Sequence, residues 1–172
     1  NQGQVYESFN MASLWELPVL YIIENNKYGM GTSTERSSAG EFYKRGEAFG
    51  IEGKKVNGMS VLEVYEAVKE AKKTILKEKR PFLLEVETYR YRGHSMSDPG
   101  NYRTKDEINE YKEKHDPINN FKKYGVKNKL ITEADYDKID KEVKIQVKES
   151  MDYAENSPEP LADELFTDVY ND

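Results

Sequence analysis

The chain has 172 residues, enough for one domain with a sizeable core, and 34% charged against 37% hydrophobic residues predicts a large share of solvated helix. A formal net charge of −6 counts against a nucleic-acid partner, and zero cysteines exclude disulfides and thiolate metal sites. No run of about 18 apolar residues exists, so neither a transmembrane helix nor a membrane partner is expected.

The chain opens on Asn1-Gln2-Gly3 with no initiator Met and no signal peptide, so it reads as a fragment. In residues 4–15, Val5, Phe9, Ala12 and Trp15 recur at helical spacing and predict one buried face. Pro18 ends that pattern. The run Leu17-Pro-Val-Leu-Tyr-Ile-Ile23-Glu24 is short and apolar, as expected of a buried parallel strand. Residues 29–38 read as a Gly/Ser/Thr loop and 39–49 as a short helix. A short strand is expected at Lys54-Lys-Val56, before the turn Asn57-Gly58.

Ser60-Val-Leu-Glu63 has the spacing of a capping box, in which the hydroxyl accepts from the third helical amide and the carboxylate reaches back. Val61, Val64, Tyr65, Val68, Ala71 and Ile75 would form the buried stripe of the helix that follows. Its basic end Lys77-Glu-Lys-Arg80 suits the helix dipole. Pro81-Phe-Leu-Leu-Glu-Val-Glu87 is a second strand, followed by a polar loop over 88–103. Thr104-Lys-Asp-Glu107 is another capping box, and Asp116-Pro117 an N-cap pair. Thr132-Glu-Ala-Asp135 starts a long charged helix to about Tyr153, with Ile139, Val143, Val147 and Met151 along one stripe. Strands alternating with helices predict an α/β fold, a parallel sheet flanked by helices over 1–103, with a C-terminal helical extension over 104–172.

Ligands of open α/β sheets bind outside the carboxyl ends of the strands. Two segments fall there. Asn25-Asn26-Lys27-Tyr28-Gly29-Met30-Gly31 follows the first strand. It is either a plain Asn/Gly turn or a site for a phosphorylated ligand or a hard cation, since amide and carbonyl oxygens suit Mg2+. Tyr91-Arg92-Gly93-His94-Ser95-Met96-Ser97-Asp98 follows the second. It is either an exposed polar loop or an anion site built from Arg, His and backbone amides. A hydrolytic triad of Ser95, His94 and Asp98 lacks the expected nucleophile elbow. His115 reads as solvated. Asn1-Gln2-Gly3-Gln4 either caps the first helix or offers amides to an anion. No dinucleotide or P-loop glycine motif is present.

Taken in order, Asn1-Gln-Gly-Gln4, Glu24-Asn-Asn-Lys-Tyr-Gly-Met-Gly-Thr32, Tyr89-Arg-Tyr-Arg-Gly-His-Ser-Met-Ser-Asp-Pro-Gly100, Tyr102-Arg-Thr104 and Ser157-Pro-Glu-Pro160 resemble the α subunits of the pyruvate dehydrogenase E1 component. The resemblance implies the C-terminal part of a single thiamine-diphosphate-binding domain, spanning 1–172. It implies a thiamine diphosphate and Mg2+ enzyme that oxidatively decarboxylates pyruvate and passes the acetyl group to the lipoyl group of E2, dihydrolipoyl acetyltransferase, yielding acetyl-CoA in the complex. Asn26 would ligate Mg2+ through its side chain and Tyr28 through its carbonyl. Asn1, Gly29 and His94 would contact the cofactor, His94 as the catalytic residue near the diphosphate. A third ligand, the Asp of a Gly-Asp-Gly segment, would immediately precede Asn1, so the fragment alone is expected to be inactive. The carboxylate that activates the aminopyrimidine would come from the E1 β subunit of an α2β2 heterotetramer.

Ser95 and Ser33 match phosphorylated serines of mitochondrial members. Asn101 replaces a further one, in a loop one residue shorter, which implies a bacterial, cytoplasmic protein without kinase control; a mitochondrial matrix member is the alternative. Branched-chain 2-keto acids or acetoin are the alternative substrates, and a non-catalytic interaction module is the alternative role.

Overall fold

Leu20–Asn25 (β1) and Phe82–Glu87 (β5) lie side by side as parallel strands in a computed structural model that describes residues 2–170. Between them in sequence come the two-residue strands Tyr28–Gly29 (β2) and Thr32–Ser33 (β3), and Glu52–Asn57 (β4). The sheet order is β1-β5-β4, parallel throughout, with Asn25 and Asn57 both level with Glu87. The α/β fold with a parallel sheet flanked by helices is therefore present. Strand β4 is longer than expected and sits on the sheet edge, where its polar residues can face outward.

Alternation along β5 divides the core. Phe82 and Leu84 face one side with Val56, and are covered by Ala67, Ala71 and Ile75 of Val61–Glu78 (α3). Leu83 faces the other side with Ile51 and Phe9 of Gly3–Leu14 (α1), where Tyr6, Tyr21 and Phe49 pack around them. The rings of Phe9 and Tyr21 meet edge to face at 4.9 Å.

Two helix faces are rotated from their expected positions. On α1, Phe9 and Ala12 are buried, but Val5 and Trp15 are exposed. The helix stops at Leu14, Trp15 caps it with a non-helical backbone, and the chain turns away at Glu16 (φ 52), so the covered face ends before Trp15. On α3 the buried face is Val64, Ala67, Val68, Ala71 and Ile75. Tyr65 lies about 100° around the helix from Val64 and is exposed. Val61 is exposed too, being the first helical residue, beyond the end of the covered stripe.

The expected helix over 39–49 is two 3-10 turns, Phe42–Lys44 and Glu47–Phe49. Gly46 and the left-handed Gly50 (φ 70) break the repeat. The expected loop over 29–38 contains the β2/β3 hairpin and the single-turn helix Thr34–Ser37 (α2). Gly53 lets β4 touch the first of these turns: a Cβ there would stand 1.8 Å from the Tyr43 carbonyl oxygen.

Lys105–Lys114 (α4) and Pro117–Lys127 (α5) follow the second loop. Ser60 and Thr104 cap α3 and α4 by accepting from the Glu63 and Glu107 amides, at 3.4 and 3.1 Å. Neither Glu completes the reciprocal box. Glu63 takes the Asn57 amide and Glu107 takes the Tyr89 hydroxyl. Asp116 caps α5 through the Asn119 amide at 2.8 Å.

The chain divides into two compact units, one up to Tyr124 and the other from Gly125. In the second unit Glu133–Asn156 (α6) opens on a complete box between Thr132 and Asp135. Ile139, Val143, Val147 and Met151 on α6 are exposed. No helix among the described residues is long and apolar enough to cross a membrane.

Candidate functional site

Strands β1 and β5 end flush, and the Thr88 amide donates to the Asn25 carbonyl at 2.8 Å beyond the last paired residues. Two loops leave this edge together. In the first, the Asn25 side-chain oxygen accepts from the Lys27 amide at 3.0 Å and the Asn26 oxygen from the Tyr28 amide at 3.2 Å. These overlapping side-chain turns hold Lys27 at φ 68, a left-handed conformation that costs a non-glycine residue roughly 1–2 kcal/mol. The Thr34 amide returns to the Lys27 carbonyl at 2.9 Å and closes the loop.

The second loop is stitched to the first. Arg90 Nη2 donates to the Met30 carbonyl and to the Tyr102 hydroxyl oxygen, each at 2.7 Å. The Tyr102 ring lies 5.3 Å from the Tyr28 ring and so close over Gly31 that a Cβ there would sit 2.9 Å from it. Arg103 is nearly buried. It donates to the carbonyls of Arg90 and Arg92, and its guanidinium lies 5.3–5.7 Å from the rings of Tyr89, Tyr102 and Tyr28. Asp98 ties the tip, accepting from the His94 amide at 2.6 Å, the Tyr102 hydroxyl at 2.7 Å and the Gly100 amide at 2.8 Å. Those donors, the His94 amide first, hold its carboxyl down at about 2.

Asp98 thus binds the main chain of His94, not its imidazole, and the Ser95 hydroxyl lies 3.1 Å from that of Ser97. The triad alternative has no support in this arrangement.

Asn26, Tyr28 and Gly29 line one cavity of about 210 Å³ with Asn25, Thr34 and Ser38. His94 is exposed on the neighbouring loop and is not among that cavity's lining residues. Asn1 lies outside the described residues. The donors available to a cation here are the Asn26 amide oxygen, which keeps a lone pair beyond its bond to Tyr28, and the Tyr28 carbonyl. Hard oxygen donors of this kind fit Mg2+. Mg2+ takes six ligands in near-octahedral geometry, so Asn26 and Tyr28 would supply only part of a ligand set.

A second cavity of about 330 Å³ adjoins the turn, lined by Asn25, Lys27, Glu41, Lys55, Glu85 and Glu87 among others. Lys27 reaches Glu87 at 3.2 Å; burial opposes its charge, but Glu87 and Tyr111 together outweigh burial and raise its pKa. Glu85 is 2% exposed on the central strand. One of its oxygens accepts from Asn25 Nδ2 at 2.7 Å and the other from the Tyr43 amide at 3.1 Å. Glu85 is not singled out by the sequence alone, and Arg90, Tyr102 and Arg103 fall in the quoted motifs without an assigned role. An acidic residue next to the apolar run Phe82-Leu83-Leu84 is the available signal, because a carboxylate there must find buried donors.

Behind the second loop, the Tyr89 ring stacks on Tyr111 at 3.9 Å, and the Tyr91 hydroxyl donates to Asp116 at 3.1 Å. Burial, then Glu107, pushes the Tyr89 phenol up to about 12; burial, then Asp116, does the same to Tyr91. A folded pKa above the ordinary value of 10.0 means stability that is fully present below pH 10 and lost as pH rises toward 12. Phenolate absorbance should show at least two tyrosines still protonated at about pH 11 in the wild type, one fewer in Tyr91→Phe, and only about one equivalent, spread over all thirteen, after unfolding in urea.

A family model described as "Dehydrogenase E1 component" matches residues 1–163. The pyruvate dehydrogenase E1 component subunit alpha of Rickettsia bellii is 53% identical over 171 residues, covering 99% of this chain and 52% of the relative. Its counterpart in Rhizobium meliloti is 52% identical over 170 residues, covering 98% and 49%. The mitochondrial subunit of Saccharomyces cerevisiae is 53% identical over 174 residues, covering 99% and 41%. The chain spans about half the length of the curated relatives it matches.

Proposed function

The chain belongs to the dehydrogenase E1 component family, and from that premise we propose that it is part of the α subunit of a pyruvate dehydrogenase E1. In this reading the whole protein oxidatively decarboxylates pyruvate and transfers the acetyl group to the lipoyl group of E2, in an α2β2 assembly with an E1 β subunit. The bacterial relatives favour a bacterial cytoplasmic protein.

The observation that carries the reading is the double Asn turn at the carboxyl end of β1, braced by the loop that follows β5. Asn26 and Tyr28 would hold Mg2+ through oxygen, and Gly29 and the His94 loop would receive the diphosphate. Thiamine diphosphate, when bound, supplies the electron sink that decarboxylation of a 2-keto acid requires. The protein's own part is to fix those oxygen donors before the ligand arrives, so that little ordering remains to oppose binding. His94 stands on a loop already tied by Asp98, which limits the backbone freedom lost when its imidazole meets an anion.

The test is turnover by the full-length protein with its β subunit. Pyruvate should be consumed only with thiamine diphosphate and Mg2+, and faster than 2-ketoisovalerate. Preference for the branched substrate would transfer the chain to the branched-chain alternative. His94→Ala removes one charge-assisted contact of about 1.5–3 kcal/mol, so activity should fall about ten- to a hundred-fold with the melting temperature unchanged. Full activity in that variant would return His94 to an ordinary loop residue.

A second reading, an interaction surface for another subunit, is favoured by the exposed apolar residues Met11, Leu14, Trp15 and Leu17 at the end of α1. It is compatible with the first, and mixing the full-length protein with the β subunit and measuring the mass of the product tests it.

A further inference from the structure

We propose that Glu85 is a positioning residue for the cation-binding turn: its buried carboxylate sets the orientation of the Asn25 amide, and Asn25 in turn sets the loop that presents Asn26 and Tyr28. The link to a cation rests on the reading above; the link from Glu85 to the turn does not.

The argument is one of donors and acceptors. Glu85 is 2% exposed and uses one oxygen for Asn25 Nδ2 and the other for the Tyr43 amide. Asn25 therefore points its amino group at Glu85 and its oxygen at the Lys27 amide. That second bond holds Lys27 left-handed at φ 68, and the following residues, Tyr28 and Thr34, complete the turn. An acceptor-only group at position 85 is needed, because both of its partners are N–H donors. The residue is on β5, paired on both sides, so its own backbone is fixed by the sheet. Its distance from the turn in sequence makes it a brace between elements rather than part of a local motif.

Glu85→Gln keeps the shape and breaks the pattern. If the oxygen of the introduced amide serves Tyr43, its NH2 faces the NH2 of Asn25. Relief by flipping Asn25 turns that amino group against the Lys27 N–H and opens the turn. Asn25→Asp combined with Glu85→Gln restores the pattern with the polarity reversed. The carboxylate now at position 25 accepts both from the amide at position 85 and from the Lys27 N–H, and the oxygen of that amide still accepts from Tyr43. A residue that only filled space would show no such rescue.

The experiment uses the full-length protein in its native assembly and four forms: wild type, Glu85→Gln, Asn25→Asp and the double variant. Two quantities are read: amide hydrogen exchange in the peptide covering residues 24–31 without cofactor, and the Kd for thiamine diphosphate at fixed Mg2+. In both single variants exchange should accelerate and Kd should rise about ten- to a hundred-fold, the range for groups that orient metal ligands. The double variant should return to within about threefold of wild type on both. Exchange in Glu85→Gln equal to wild type, or a double variant no better than the singles, overturns the proposal. Should the singles fail to fold, a folded double variant with wild-type exchange supports it and an unfolded one overturns it. A wild type that binds no thiamine diphosphate defeats the cofactor reading, and exchange alone then decides the role of Glu85.

Discussion

Asn26→Ala in the full-length protein is expected to weaken binding of thiamine diphosphate in the presence of Mg2+ by at least about 100-fold, since losing a direct oxygen donor should exceed the ten- to hundred-fold effect of losing a group that merely orients one. Two losses are combined in that variant, and they can be separated. The Asn26 oxygen also accepts from the Tyr28 amide at 3.2 Å, a bond of about 1 kcal/mol that belongs to the turn itself. Asn26→Asp keeps an oxygen at both tasks, and so should bind far better than the Ala variant. The comparison is made by calorimetric titration with the metal held constant. Equal affinity in wild type and Ala variant would remove Asn26 from the site, whatever the fate of the turn.

Leu84→Ala should damage the fold severely, at about 2–5 kcal/mol. Leu84 is fully buried at the middle of the central strand, in the cluster with Val56, Ile75 and Phe82. Two of the residues across from it on α3 are Ala67 and Ala71, which have no side chain able to swing into a void. The site should therefore collapse poorly, placing the cost in the upper part of that range. Urea unfolding of the full-length protein measures it; a loss below about 1 kcal/mol would mean that α3 moves in to fill the space. The expected loss is a large fraction of the roughly 5–15 kcal/mol of a typical protein.

The parts of the fold that are legible in advance are those specified by nearby residues. The apolar runs at β1 and β5, the hydroxyl caps of Ser60 and Thr104, and the start of α6 all follow from chemistry within a few positions. What escapes prediction depends on partners outside the local motif. Glu63 and Glu107 have the right spacing to cap their helices, but Asn57, six residues away, and Tyr89, eighteen away, claim them. Tyr65 shares the period of the α3 stripe loosely enough to look buried, and only the position of the sheet decides that Ala67 is inside and Tyr65 outside. At the candidate site, the paired amides and glycines of 25–31 are visible as a motif. Their brace is not, because Glu85 and Arg90 are sixty residues away from Asn25 and Met30 and become neighbours only through the parallel pairing of β1 with β5.

The position of Glu85 also bears on how the sheet assembles. Along β5, Leu84 and Val86 face α3 while Glu85 faces the opposite layer, next to Asn25 and Tyr43. A slip of one residue exchanges these faces. It would press an acid against Ala67, Ala71 and Ile75, where nothing can donate to it, and strand a leucine where Tyr43 and Asn25 seek an acceptor. The mispaired sheet is thus penalised on both surfaces at once, so the carboxylate weights the equilibrium toward the native strand alignment.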